Sequence, residues 1–143
     1  MAFATDVQPA LEITSNLNAI NAYIDELKQG QFTALYEAMH AGVNLLDGAN
    51  ADAKALVLFT DGRDNSSQLD QFNQQSVVDT LNDTGIKSFT LGLQGKGGVD
   101  TSVLDSLAVG GLSKLAQNIE GVRSTFSDFS KAVSNIYLSL IHI

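Results

Sequence analysis

The sequence predicts one α/β domain with a mostly parallel sheet flanked by helices. Its clearest strand is the run Ala55–Phe59, which is apolar without interruption and stops at Thr60-Asp61-Gly62. An unbroken apolar run, rather than an alternating one, is typical of a strand covered on both faces, as in a parallel sheet between helices. Strand-like and helix-like segments also alternate along the chain, which favours parallel pairing with right-handed crossovers.

Upstream of this strand, apolar residues at helical spacing predict two helices. The first helix begins after Ser15 or Asn16 as N-cap, and we expect Gly30 to end it with a positive φ. Thr33 is then expected to cap the second helix, which a polar connection over 48–52 joins to the strand. The apolar positions are Leu17, Ile20, Ile24 and Leu27 in the first helix and Leu35, Ala38, Met39, Gly42 and Leu46 in the second.

Downstream, the pattern predicts two further strands and three further helices. A polar loop leads to a helix that Gly85 stops, and a strand over Ile86–Leu93 follows because of its β-branched and aromatic content. A short helix around 103–107 and a short edge strand around 112–116 come next. The last helix carries an apolar stripe over 122–136 that steps by four and three residues. The end of the chain, Tyr137–Ile143, fits either a continued helix or a strand.

Composition limits the classes of function. The chain has 143 residues, 44% of them hydrophobic and 17% charged, which is typical of one globular domain. A net charge of -8 argues against nucleic-acid partners, whose phosphates are neutralised by Lys and Arg. There is no cysteine, so thiol catalysis, disulfides and zinc–thiolate sites are excluded. No apolar stretch is long enough to insert in a membrane, and no signal peptide is expected after Met1. The compartment stays unknown.

Five segments, in order and spacing, resemble one known family. Leu58–Gly62 looks like the fourth strand of the von Willebrand factor type A (VWA) domain. Gly30–Leu35 is similar to the family's glycine-to-threonine turn, and Gly85–Leu93 resembles its fifth strand. Near the start, Ala2–Val7 and Leu11–Thr14 look like the second and third strands. The resemblance spans nearly the whole chain, so residues 1–143 are expected to form a single VWA-like domain.

One motif of the family is missing. The family's first strand ends in Asp-x-Ser-x-Ser, and no such motif precedes Phe3 or occurs later. The sequence therefore looks like a truncated VWA domain without its first strand and first helix. The resemblance implies a Rossmann-like doubly wound sheet with order 3-2-1-4-5-6, incomplete at the central first strand.

A missing central strand would leave buried backbone groups unpaired beside Phe3 and Val57. Each such group costs about 1–3 kcal/mol, so we expect the gap to be filled. Tyr137–Ile143, a strand exchanged within a homo-oligomer, direct closure of the two halves, or a separate fragment are the alternatives.

The resemblance also implies a metal site at the carboxyl ends of the strands. In the family a divalent cation, usually Mg²⁺ (or Mn²⁺ or Ca²⁺), is held there and binds an acidic side chain of a protein partner. Thr33 matches the family's loop threonine, and Asp61 matches the aspartate after the fourth strand. The other three ligand positions have no counterpart, and Mg²⁺ requires near-octahedral oxygen ligands. We therefore expect weak or absent metal binding, although Asp64 and Asn65 lie close enough in sequence to offer oxygens.

Alternative interpretations stay open for these residues. Asp61 also fits a simple Asx-turn with Gly62 at the end of a strand. Thr33 as a helix cap is compatible with a ligand role. The glycines over 92–98 do not have the spacing of a phosphate-binding loop. His40 lies within a predicted helix and His142 next to the end of the chain, which argues against a catalytic or zinc site.

These observations predict a non-enzymatic interaction module of the VWA type, of the adhesion or scaffold kind. A first alternative is a nucleotide or small-ligand enzyme on a Rossmann-like sheet, which would need a phosphate loop or a catalytic pair. A second alternative is a structural fragment without independent activity. Fold resemblance alone does not decide between them.

Overall fold

The computed structural model describes residues 1–28, 30–95 and 98–141. Within them, the chain forms five helices and three strands. In chain order these are α1 (Leu17–Asp25), α2 (Leu35–Asp47), β1 (Ala55–Thr60), α3 (Gln74–Thr84), β2 (Lys87–Leu93), α4 (Thr101–Leu107), β3 (Ser113–Ala116) and α5 (Ile119–Ile141). All three strands downstream of residue 50 lie where the sequence predicts them.

The three strands form one parallel sheet in the order β1-β2-β3. Ala55 pairs with Lys87 at the start of β1, and Thr60 pairs with Gly92 at its end. The carboxyl ends of β1 and β2 therefore meet at one edge of the sheet. The predicted α/β fold with helices around a parallel sheet is confirmed, and the order matches strands four, five and six of the expected arrangement.

Two apolar cores cover the two faces of the sheet. On one face, α2, α3 and α4 pack over Leu58 and Ile86. On the other face, α5 packs over β2 and β3, where the rings of Phe89 and Phe129 lie 5.3 Å apart. Alternation along β2 explains this arrangement, because Phe89 and Leu91 point to α5, whereas the hydroxyls of Ser88 and Thr90 donate to carbonyls of α4.

The strand β1 departs from the prediction that both of its faces are covered. Leu58 and Thr60 are buried under the helices of the first core, but Val57 is 40% exposed and Phe59 is 42% exposed. On that face the ring of Phe59 lies against the ring of Phe126 in a T-shaped arrangement, at a centroid distance of 6.4 Å. The covering helix α5 lies over β2 and β3 rather than over β1, which leaves these two side chains partly open.

The strands expected at Ala2–Val7 and Leu11–Thr14 do not form, and that prediction is wrong. Residues 2–8 instead close on themselves through one antiparallel bridge between Phe3 and Val7, with Gln8 N–H donating to the carbonyl of Ala2. A strand needs a partner for its backbone groups, and no strand of the described part pairs with this segment.

The first two helix boundaries differ in part from expectation. Asn16 is the N-cap of α1 as predicted, and its side chain accepts from two amides of the first turn. The helix ends at Asp25, however, and Gly30 does not have a positive φ. A Cβ on Gly30 would lie 2.4 Å from that of Ala4, so the glycine serves close packing of two segments instead. Thr33 does not cap α2, because the N-cap position is Ala34.

The later helix ends agree better with the sequence. Gly85 stops α3 in the left-handed conformation, with φ of 69°. The final helix α5 continues through Ile141, so a strand over Tyr137–Ile143 is wrong for residues 137–141, and residues 142 and 143 lie outside the described part. This segment therefore does not fill a place in the sheet as a strand. No helix among the described residues is long and apolar enough to cross a membrane.

Candidate functional site at the carboxyl end of the first strand

The turn after β1 presents Asp61 at the edge of the sheet. Thr60 fixes this turn, since its hydroxyl donates to the carbonyl of Gly62 and accepts from the amide of Gly62. Asp61 itself is exposed, and its carboxylate has no hydrogen bond or ion pair with the described residues. A carboxylate held at this edge without a protein partner is available to a ligand, because ligands of open α/β sheets gather outside the carboxyl ends of strands.

Thr33 lies beside this turn. A Cβ placed on Gly62 would lie only 3.0 Å from the hydroxyl oxygen of Thr33, so the two segments touch where the glycine has no side chain. Two hydrogen bonds join the two segments: Thr33 N–H donates to the side-chain oxygen of Asn65 at 2.6 Å, and Asn65 N–H donates to the carbonyl of Thr33 at 3.0 Å. The structure thus brings together the neighbourhoods of the two residues that the sequence singles out.

Asp64 has a role that sequence reasoning missed. One of its oxygens accepts from the amides of Leu35 at 2.7 Å and Tyr36 at 3.3 Å, and also from the hydroxyl of Ser67. Ser67 in turn accepts from the amide of Glu37. The loop after β1 therefore caps the start of α2 from a distance of 29 residues in sequence, in place of the expected Thr33.

Two carboxylates lie near Tyr36 in the first turn of α2. Burial, followed by the nearby carboxylates of Asp64 and Asp100, raises the pKa of the Tyr36 hydroxyl above its ordinary value. Hydrogen bonds from Ser102 and Val103 lower the pKa of Asp100, with a small contribution from Arg63. Asp100 uses its carboxylate as the N-cap of α4, so it stabilises a helix, whereas the Asp61 carboxylate has no partner among the described residues.

The residues present fit a divalent cation only in part. Asp61 and Thr33 would offer a carboxylate and a hydroxyl, which are the hard oxygen ligands that Mg²⁺ prefers. Asp64 has committed one oxygen to the start of α2, and Asn65 has committed its side-chain oxygen to Thr33. Within the described residues no group of three or more His, Cys, Asp or Glu could hold a metal ion. With two protein oxygens, most of the six coordination positions of a bound Mg²⁺ would be filled by water or by oxygen atoms of a binding partner.

The described residues of the other sequence motifs bring no side-chain ligand to this site. The backbone at Gly95 passes close to the carbonyl of Asp61, while residues 96 and 97 of the glycine-rich segment lie outside the described part. His40 lies in α2 with its Nε2 3.0 Å from the hydroxyl of Ser76, within a helix–helix contact. His142 is also outside the described residues.

Comparison with protein families decides the relationship. The family model of the von Willebrand factor type A domain matches residues 1–137. The chain belongs to the VWA family. VWA domains generally mediate protein–protein interaction rather than catalysis, and many bind a divalent metal at a metal ion-dependent adhesion site (MIDAS).

Solved structures agree with this assignment at the level of the fold. A von Willebrand factor type A protein from Catenulispora acidiphila superposes with a TM-score of 0.64 at 17% identity, over 81% of this chain and 26% of its own. Proximal thread matrix protein 1 from the mussel byssus, with a zinc-occupied MIDAS motif, superposes with a TM-score of 0.57 at 19% identity, over 86% of this chain and 28% of its own. The VWA chain described here thus spans about a quarter of the length of each. No curated protein sequence matches it.

Proposed function

We propose that residues 1–143 form a single VWA-type interaction domain without enzymatic activity, with Asp61 and Thr33 as the protein ligands of a partial divalent-cation site. The observation that carries the proposal is the exposed carboxylate of Asp61, which has no partner among the described residues and follows β1 directly before the Gly62 turn that touches Thr33, at the edge of the sheet where such folds bind ligands. A cation held there by few protein oxygens keeps open coordination positions, and an acidic side chain of a protein partner is the natural ligand for one of them.

Three further observations support this proposal. The chain is a VWA domain by its family match, and VWA domains generally bind proteins. A structural neighbour from the mussel byssus has a zinc-occupied MIDAS motif, which is the kind of site proposed here. The Ser67 hydroxyl and the Asp64 oxygen that contact each other at this edge also accept from the first amides of α2, so the site offers a charge and ligand positions rather than a catalytic pair.

The proposed site can be tested with Mn²⁺, whose paramagnetism broadens nearby amide signals in a two-dimensional NMR spectrum. We expect broadening centred on Thr33, Asp61 and Gly62, with a dissociation constant of about 1 mM or weaker, because only two protein oxygens are available. Asp61→Asn keeps the shape of the side chain but removes its charge, and it should abolish this local broadening.

Asp70→Asn is the matched control, since Asp70 is another exposed carboxylate in the loop before α3. This variant should broaden in the same way as the wild type. Broadening that is spread over the acidic surface, or that persists in Asp61→Asn, would overturn the assignment of the site. Micromolar binding would show that the ligand set is more complete than proposed.

A further inference from the structure

Asn65 joins its loop to the segment before α2 by two reciprocal hydrogen bonds. Its side-chain oxygen accepts from the amide of Thr33 at 2.6 Å, and its own amide donates to the carbonyl of Thr33 at 3.0 Å. Both backbone polar groups of Thr33 are therefore bonded to one residue that lies 32 positions away in sequence. Asparagine can make this pair of bonds because its side-chain carbonyl imitates a backbone carbonyl.

The hydroxyl of Thr33 stays free in this arrangement. It makes no hydrogen bond with the described residues, and its oxygen would lie 3.0 Å from a Cβ on Gly62. The glycine thus lets the hydroxyl approach the turn that follows Asp61, while Asn65 keeps the backbone of Thr33 in place. We infer that Asn65 is a positioning residue, which holds the Thr33 hydroxyl against the Gly62 turn without the help of a cation.

The neighbouring contacts of the loop hold α2 rather than Thr33. The side chains of Asp64 and Ser67 accept from the first three amides of α2, which begins two residues after Thr33. Loss of the Asn65 side chain should therefore free the amide of Thr33 and leave the start of α2 in place. This selectivity distinguishes a positioning residue from one that supports the whole loop.

This inference rests on the proposed cation site for the role of Asn65 in binding, but not for the geometry. A site with two protein ligands gains affinity when both are held in place beforehand, because less freedom is lost on binding. The hydrogen bonds of Asn65 need no metal, so the position of Thr33 can be measured in EDTA.

Nuclear Overhauser effects in EDTA test the position of Thr33. Its Cβ lies 3.9 Å from the ideal Cβ position on Gly62, so the wild type should show a cross-peak between the Thr33 β proton and the Gly62 α protons. Asn65→Ala should lose most of this peak, and its Thr33 amide should exchange with solvent about tenfold faster. Exchange of the Leu35 amide, which Asp64 binds, should stay close to that of the wild type.

Two further variants serve as controls. Asn65→Asp is the conservative change, since a carboxylate oxygen can accept the same hydrogen bond, and it should keep the cross-peak. In Asn73→Ala, a side chain that accepts from the amide of Ser76 at 3.0 Å is removed from the start of α3. This variant also loses an asparagine acceptor for a backbone amide, yet it should keep the peak between Thr33 and Gly62.

Mn²⁺ tests the role of Asn65 in binding. In the wild type we expect paramagnetic broadening at both Thr33 and Gly62. In Asn65→Ala the broadening at Thr33 should fall about twofold or more relative to that at Gly62, because a ligand without its supporting hydrogen bond moves away from the ion. A merely structural effect would lower the broadening at both residues together.

Three results would contradict the inference: no Thr33–Gly62 peak in the wild type in EDTA, an unchanged peak in Asn65→Ala, or loss of the peak in Asn73→Ala as well. Equal acceleration of exchange at Thr33 and Leu35 would also overturn it, since Asn65 would then support the whole loop. A wild type without any Mn²⁺ broadening would refute the cation site instead, and the measurements in EDTA would still decide whether Asn65 positions Thr33.

Discussion

Asp61 and Asp64 stand three positions apart in one loop and have opposite roles. Asp64 is half-buried and accepts hydrogen bonds from the first turn of α2, whereas Asp61 is exposed and has no partner among the described residues. At the residue scale, one carboxylate therefore stabilises the fold and the other is available for binding. From the sequence alone the two aspartates cannot be told apart, because both lie in the loop that follows β1.

Replacement of each carboxylate should separate the two roles. Asp64→Ala leaves amide groups of Leu35 and Tyr36 without their acceptor, so we expect the free energy of unfolding to fall by about 1–3 kcal/mol. Asp61→Ala is the matched control and should change it by about 0.5 kcal/mol or less. Urea unfolding followed by circular dichroism measures both. Equal losses in the two variants would contradict the assignment of roles.

His40 makes stability depend on pH. Burial lowers the pKa of this imidazole below its ordinary value of 6.5, and its Nε2 contacts the hydroxyl of Ser76. The unfolded chain therefore binds a proton more readily than the folded one, and the free energy of unfolding falls as pH falls through 6.5 toward the depressed value.

His40→Gln removes this titration but keeps a polar group for Ser76. Unfolding in urea at several values between about pH 7 and pH 5 should show a smaller loss of stability in the variant than in the wild type. The acidic residues are the same in both proteins, so the difference between the two profiles isolates His40. Parallel profiles would contradict the depressed pKa.

At the element scale, α5 is the helix that covers the second face of the sheet. Its inner side packs Phe129 against Phe89, and Phe129 is only 2% exposed, whereas Phe126 on the same helix is 43% exposed. The apolar stripe predicted from the sequence is thus present in α5, but its residues are buried to different extents. The position of α5 over β2 and β3, rather than over β1, decides which of them are buried.

Two phenylalanine substitutions should show this inequality. Phe129→Ala opens a cavity in the second core, and we expect a loss of about 3–5 kcal/mol in the free energy of unfolding. Phe126→Ala removes a side chain of the same size from a half-open position and should cost about 1 kcal/mol or less. Urea unfolding midpoints, analysed with one common m-value, give the change in the free energy of unfolding for both variants. Similar costs would place Phe126 in the core as well.

At the scale of the whole molecule, the sheet is asymmetric. The β2 strand has a neighbour on each side, whereas the outer edge of β1 faces a groove next to Val57, and β3 ends the sheet on the other side. An exposed strand edge of apolar residues is a pairing template, which most proteins cover or charge. The open edge and the proposed cation site adjoin the same strand, β1.

Much of this architecture follows from the sequence alone. The unbroken run Ala55–Phe59, the strand ended by Leu93 and the periodic stripe of α5 determine the parallel sheet with helices around it, because local apolar spacing dictates which faces are buried. Gly85 ends α3 as predicted, since a left-handed residue there favours glycine. The VWA resemblance likewise depends on short local motifs.

Contacts between distant segments were decided only by the tertiary structure. Capping of α2 by Asp64, the close approach of Gly62 to Thr33, and the open edge of β1 each join residues about 30 positions apart or depend on a neighbour that local sequence does not specify. The strands expected before residue 15 failed for the same reason, because a strand exists only where another backbone satisfies its hydrogen bonds. Local spacing therefore determined the elements, and long-range pairing determined which of their polar groups were left free to bind.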